Sequence, residues 1–287
     1  MSTAAAPSVA EAYAYCRRIT HSRGANFSVG FRFLPDRKRN AVYAAYAFCR
    51  WADDIVDDPG DDAAERLDAW ERELEACYAG QPTHTITVAL ADALQHFAIP
   101  QAGFAALIAG CRQDLVKTRY ADFAELLGYC DLVATSISDI SLSILGYEKP
   151  EATEYGRHLA TALQLTNVTR DIGDDLRRDR IYLPREDLDR FGVSERELFE
   201  RAHNERMRSL IVFEAERAME QFRDAQPLLE GASPDARFTV LMMGSIYSEV
   251  LRKVLADPFA TLHRRVALSF PHKVYVVLRG LLRPRFA

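Results

Sequence analysis

Apolar side chains return every three or four positions along almost the whole chain, and no alternating apolar and polar run sits between hairpin-turn residues. Three-to-four spacing belongs to helices that bury one face, whereas half-buried strands would alternate. The pattern predicts an all-α protein with helices over 8–22, 36–57, 62–79, 84–98, 101–117, 122–146, 151–179, 194–229 with an interruption, 234–256 and 271–282. Pro35, Pro59-Gly60, Gly80-Gln81-Pro82, Pro100, Pro150, Pro184 and the stretch Gly231 to Pro234 separate them, because proline and glycine do not continue a helix. None of these breaks is long enough to be a linker and no repeat is present. The expectation is therefore one domain over 1–287, a bundle of Ala-rich helices around a central space, with residues 1–10 as a disordered tail.

Two helices break the apolar pattern. In Tyr46-Ala-Phe-Cys-Arg50-Trp-Ala-Asp53-Asp54-Ile-Val-Asp57-Asp58, the residues Tyr46, Arg50, Asp53 and Asp57 stand at i, i+4, i+7 and i+11 on one helix face. Asp54 and Asp58 form the neighbouring row, and each like-charge pair at i, i+4 costs about a few tenths of a kcal/mol. Alone, this stretch fits a solvated acidic helix end as well as a site. The second stretch runs Gln164-Leu-Thr-Asn167-Val-Thr-Arg170-Asp171-Ile-Gly-Asp174-Asp175, with Asp179 one turn on and Tyr182 beyond. Gln164, Asn167, Asp171 and Asp175 again share a face, where the bundle's periodicity calls for apolar residues. Asn and Gln on an inward face need partners.

Two acidic stripes with an arginine just upstream of each point to ionisation of an allylic diphosphate. Mg²⁺, or Mn²⁺ in its place, takes one or two carboxylates plus phosphate oxygens. Metal and arginine together would neutralise charge on a departing diphosphate, and an apolar, aromatic cavity would shelter the carbocation left behind.

Composition narrows the alternatives. The 287 residues carry a net charge of −5, so no global positive field exists to hold a nucleic-acid backbone. Five scattered cysteines without a Cys-x-x-Cys pair read as buried thiols of a reducing cytosol rather than a zinc or redox site. The N-terminus lacks the basic head and apolar run of a signal peptide. Near the other end, the apolar run 274–282 is bracketed by Lys273, Arg279, Arg283 and Arg285. It reads either as a last helix packed on the body with its cations in water, or as a peripheral contact with a membrane surface.

Both acidic blocks, together with Asn26-Phe27-Ser28, Phe31-Arg-Phe-Leu-Pro35, Tyr129-Cys130, Gln164 to Pro184 and Tyr247, resemble the squalene/phytoene synthase family over roughly residues 13–282. The resemblance implies an all-α bundle of the isoprenoid synthase type with a central prenyl cavity. It also implies head-to-head joining of two C15 or C20 prenyl diphosphates through a cyclopropyl diphosphate, with diphosphate released. Presqualene diphosphate synthesis, NADPH-dependent squalene synthesis and a non-standard prenyltransferase or cyclase are alternatives within the family; an assembly protein that kept the fold is the alternative outside enzymology. By position, Asp53, Asp57, Asp171 and Asp175 match metal ligands, and Arg50 and Arg170 match diphosphate-contacting arginines. Gln164 and Asn167 match polar neighbours of the second metal pair. Tyr46, Tyr129, Tyr182, Tyr247, Phe27 and Phe31 match aromatic residues of the cavity. The chain departs from the family where Val133-Ala134-Thr135-Ser136-Ile137-Ser138 replaces a segment that usually carries two glycines. Val133, Ile137 and Ser138 would then line a narrower or more polar stretch of the cavity.

Overall fold

In the computed structural model the described residues are 7–23, 28–57, 60, 62–147 and 151–286, and every regular element among them is helical. Among the described residues the only bridges are isolated ones, Arg119 with Ile181 and Tyr147 with Ala232. The all-α expectation therefore holds. No helix among the described residues is long and apolar enough to cross a membrane.

Contacts divide the chain into two compact units. The first comprises 1–116, 136–150 and 232–239, and the second 117–135, 151–231 and 240–287. In the first lie α1 (Val9–Arg23), α2 (Ser28–Phe31), α3 (Asp36–Asp57), α4 (Ala63–Tyr78), α5 (Thr85–Leu94) and α6 (Gln101–Asp114). Helix α3 is its hub because Ala41, Ala44, Ala45, Ala47 and Ala52 are buried and leave room for neighbours on several sides; it packs on α1, α4, α5 and α6. Phe48 stacks on Trp70 at 4.6 Å and meets Phe104 edge-on at 4.8 Å, and the Trp70 indole N–H donates to Phe48 O. Such a cluster combines large apolar burial with defined ring geometry.

The chain enters the second unit with α7 (Phe123–Cys130), capped by Asp122, whose side chain accepts from Glu125 N at 2.8 Å. The continuous helix expected over 122–146 is not continuous: residues 131–135 form a π-helical turn between α7 and α8 (Ser136–Leu145), with Thr135 Oγ1 donating to Asp131 Oδ1 at 3.0 Å. Helix α8 belongs to the first unit, where Gly103 of α6 meets it so closely that a Cβ would stand 2.8 Å from Ile140 Cγ1.

The second unit continues with α9 (Ala152–Arg170), α10 (Ile172–Leu176), α11 (Arg185–Phe191), α12 (Glu195–Phe199), α13 (Glu205–Asp224), α14 (Leu228–Gly231), α15 (Pro234–Ala256, from Val240 onward), α16 (Ala260–His263) and α17 (Phe270–Leu282). Helices α9 and α13 form its spine, and the π turn packs on α9. The helix expected over 151–179 breaks at Asp171, which takes φ −103° and ψ 12° between α9 and α10. The one expected over 194–229 divides where Ser194 closes a capping box on α12 and Asn204 caps α13. Helix α11 was not foreseen. Helix α1 begins at Val9, inside the stretch expected to be disordered, and residues 1–6 lie outside the described residues.

Candidate active site

In the first unit the acidic stripe sits on the last three turns of α3. Arg50 does not pair with its stripe neighbour Asp53. Its Nε donates to Asp54 Oδ1 at 2.8 Å, and its Nη2 donates to that oxygen and to Asp57 Oδ2, the latter at 3.0 Å. Asp53 instead turns inward, where the Cys111 thiol of α6 approaches Oδ1 at 3.6 Å. Burial pushes the Asp53 carboxyl up to about 7; Arg50 pulls it back, and Asp57 and Asp114 add to the rise. Burial and the same carboxyl raise the Cys111 and Cys49 thiols, so neither is a nucleophile at neutral pH. All five cysteines are free and buried. Tyr46 is half-buried one turn before Arg50, and Phe31 is buried edge-on to Tyr43 at 6.2 Å. Phe27 lies outside the described residues. Ile137 is exposed and Ser138 half-buried on α8, whose Ser136, Ile140 and Ile144 are buried.

In the second unit Gln164, Asn167, Arg170 and Asp171 follow one another down the last turns of α9. Asn167 Nδ2 donates to Gln164 Oε1 at 3.2 Å, while its buried Oδ1 has no hydrogen-bond partner. The Arg170 guanidinium, 4% exposed, grips the Asp171 carboxylate with two hydrogen bonds, the Nε one at 2.8 Å. Burial opposes that charge, yet the Asp171 hydrogen bond and charge more than offset it and hold Arg170 above its ordinary pKa. The guanidinium also lies 5.9 Å from the centre of the buried Tyr247 ring. A second arginine reaches the same carboxylate, Arg265 Nε standing 3.3 Å from Asp171 Oδ1. Gly173 makes this possible: a Cβ there would stand 2.3 Å from Leu262 O, so only glycine lets α16 come this close and bring Arg265 in behind it.

One turn on, burial pushes Asp175 up to about 7, with Asp171 and Asp174 adding to the rise and Arg180 and Arg178 opposing it. Asp179 does not continue the stripe. It adopts φ 55°, and Arg119 Nη2 donates to its carboxylate at 2.8 Å. Tyr129 and Tyr182 come together, their rings 5.4 Å apart, and Tyr120 joins both. Val133 is half-buried in the π turn.

Among the described residues no group of three or more His, Cys, Asp or Glu side chains forms a metal cage. Mg²⁺ does not need one, since it keeps waters and completes its shell with phosphate oxygens. The donor set fits such an ion: burial raises the Asp53 and Asp175 carboxyls, a rise that a bound cation would oppose, and Asn167 Oδ1 is an orphaned acceptor one turn before Asp171. Spacing did not disclose Asp114, Cys111, Arg265 or Tyr120. Their partners are distant in sequence, and the one visible hint was the Arg264-Arg265 pair in a segment without acids.

Comparison with known proteins identifies the family. The model of the squalene/phytoene synthase family matches residues 20–272. The chain is 38% identical to a 15-cis-phytoene synthase of Synechocystis sp., over 96% of this chain and 86% of that one, and 36% identical to that of Synechococcus elongatus, over 96% and 94%. A dehydrosqualene synthase crystal structure superposes with TM-score 0.88 at 30% identity, covering 96% of this chain and 98% of the other. A squalene synthase from Alicyclobacillus acidocaldarius gives 0.83 at 31% identity, covering 88% and 95%. With its fold, its paired acidic stripes and a family match along most of its length all in agreement, the chain belongs to the squalene/phytoene synthase family.

Proposed function

We propose that this chain is a phytoene synthase that joins two C20 prenyl diphosphates head to head with the help of Mg²⁺. As a member of its family it is a prenyltransferase that condenses two prenyl diphosphates through a cyclopropyl diphosphate and releases diphosphate. The C20 assignment is supported by the relatives named for 15-cis-phytoene, the product of two such units.

The observation that carries the chemistry is the pair of acidic stripes, each with an arginine hydrogen-bonded to one of its carboxylates, Arg50 to Asp57 and Arg170 to Asp171, and each with a half-buried carboxyl, Asp53 or Asp175, pushed up to about 7. Asp53 with Asp57 would hold one metal ion and Asp171 with Asp175 another, and such positive charge supplies stabilisation for a departing diphosphate. Arg50 and Arg170 hold Asp57 and Asp171 in place through hydrogen bonds. Arg265, more than half exposed, can turn from Asp171 to a diphosphate oxygen, where guanidinium geometry suits phosphate. Tyr247 stays protonated, since burial raises its pKa against the pull of Arg170, and presents a ring rather than a phenolate to cationic intermediates. Because such a product is a hydrocarbon without polar groups, a membrane surface would be the medium to receive it.

The test is to incubate purified protein with C15 and C20 diphosphates separately, with Mg²⁺ or chelator and with or without NADPH, and to identify products by mass spectrometry. Phytoene from the C20 substrate, lost in chelator and unaffected by NADPH, is the expected result. A C30 product made in preference to phytoene, or turnover in chelator, overturns the assignment.

A further inference from the structure

Helix α17 presents its apolar face to water. Phe270, Val274, Leu278 and Leu281 fall at i, i+4, i+8 and i+11 on one arc, with Tyr275 and Leu282 along its edge. All six are exposed, Phe270 to 72% and Leu282 to 85%. They account for half of the large hydrophobic residues exposed among the described residues, and concentrated patches of this kind mark interaction surfaces whereas scattered ones do not.

The helix is not a loose end that happens to point outward. Its other face is a narrow seam on α15: Val276 and Gly280 are buried, and a Cβ on Gly280 would stand 2.9 Å from Ser245 Oγ. Glu249 of α15 fixes the roll by accepting from Arg279 Nη2 at 3.0 Å and pairing with His272 Nε2 at 3.2 Å. Beyond the helix, Phe286 is fully buried against Phe222 and Gly244, and its backbone N donates to Gln226. Both the roll and the far end of α17 are thus set so that the apolar arc faces away from the protein.

Charge selects the occupant. Residues 264–287 contain six Lys or Arg and no Asp or Glu, in a chain whose net charge is −5. Lys273 and Arg279 stand on the two borders of the apolar arc, and Arg283 and Arg285 are exposed just past its end. Apolar side chains in the middle and long cations at the rim is the layout of a helix lying in a bilayer interface, its rim side chains snorkelling to anionic headgroups. A second copy of this chain docked through the same face would set the two cationic rims against each other.

We infer that α17 is an interfacial docking helix that seats the protein on an anionic phospholipid bilayer, with Phe270, Val274, Leu278 and Leu281 entering the acyl boundary. It gives a route to the membrane surface named above, but it stands on the face and its charge alone.

The test is flotation of the full chain with vesicles of equal parts phosphatidylcholine and phosphatidylglycerol, and with phosphatidylcholine alone. The wild type should float with the mixed vesicles and much less with the neutral ones. Leu278→Glu with Leu281→Glu should weaken binding by on the order of tenfold or more, and Arg283→Glu with Arg285→Glu should remove the preference for anionic lipid. Both pairs are exposed, so thermal unfolding and turnover of detergent-dispersed substrate should stay at wild-type levels. Those two readouts also separate a failed docking face from a failed assignment of the reaction. A wild type that stays unbound on mixed vesicles, a glutamate variant that floats as the wild type does, or a concentration-dependent dimer that the glutamates dissociate would each overturn the inference.

Discussion

Asp53 and Asp171 looked equivalent in the sequence, each the first aspartate of its stripe. The structure gives them opposite energetics. Asp53 is an acid whose folded pKa, about 7, lies above its ordinary 3.8. Such a group contributes stability only below its unfolded pKa and loses it as pH rises toward 7. Asp53→Asn should therefore leave thermal unfolding at pH 7 without metal unchanged or shifted upward, while turnover nearly vanishes. Asp171 is gripped by a buried Arg170, and removing one partner of a buried pair costs roughly 3–5 kcal/mol. An Asn that keeps one of the hydrogen bonds should fall toward the lower end of that range, so Asp171→Asn should lose both turnover and stability. Matching unfolding temperatures for the two variants would contradict this division. Spacing revealed the residue types on each face because helix geometry is local. It could not reveal that Arg50 would bind Asp54 and Asp57 rather than Asp53, because that choice depends on the depth at which Asp53 meets α6.

At the scale of elements, the contact between α10 and α16 is a lever on the site. Gly173→Ala would put a Cβ against the Leu262 carbonyl, a backbone atom that cannot rotate away, and overpacking of this sort costs roughly 1–3 kcal/mol. It should also lower kcat/KM by displacing Arg265 from Asp171. If so, adding Arg265→Ala to Gly173→Ala should cost little more than either change alone, whereas additive losses would show that the two act independently. A second element contact controls stability against pH. Between α11 and α13, Arg217 bonds Asp187 at 2.8 Å and Glu214 at 3.0 Å beneath the Phe123 ring. One cation thus serves two buried carboxyls. Burial, reinforced by Asp187 and only partly offset by Arg217, raises the Glu214 carboxyl above the carboxylate range. The stability it lends is full below the ordinary Glu pKa and is lost as pH rises beyond it. Glu214→Gln should therefore gain on the wild type progressively from about pH 5 to about pH 8 in denaturant titrations; a constant offset would refute it. Helices α3 and α15 were legible to the residue, because strong periodicity ends there at proline or at a charged turn. The π turn was not, since Asp131 to Thr135 keeps ordinary helical spacing, and the short α11 is too brief to show a period.

At the scale of the molecule, the family resemblance was visible along most of the chain because its motifs are distributed over several helices. What no motif could convey is how strongly each acidic stripe, carried by its own compact unit, couples metal to diphosphate. Mg²⁺ sheds water reluctantly and completes its shell with phosphate oxygens, so metal and diphosphate should bind with positive coupling, typically ~1–3 kcal/mol. Thermal unfolding with Mg²⁺, with a non-hydrolysable prenyl diphosphate analogue and with both should show a joint stabilisation exceeding the sum of the separate ones. The excess should shrink in Asp53→Asn, altered only in the first unit, and also in Asp175→Asn, altered only in the second. Reciprocity requires the analogue to tighten Mg²⁺ binding by the same factor by which Mg²⁺ tightens the analogue, so calorimetric titrations in the two orders check the result independently. An excess that survives intact in one of the variants would assign that stripe a different task from holding the metal.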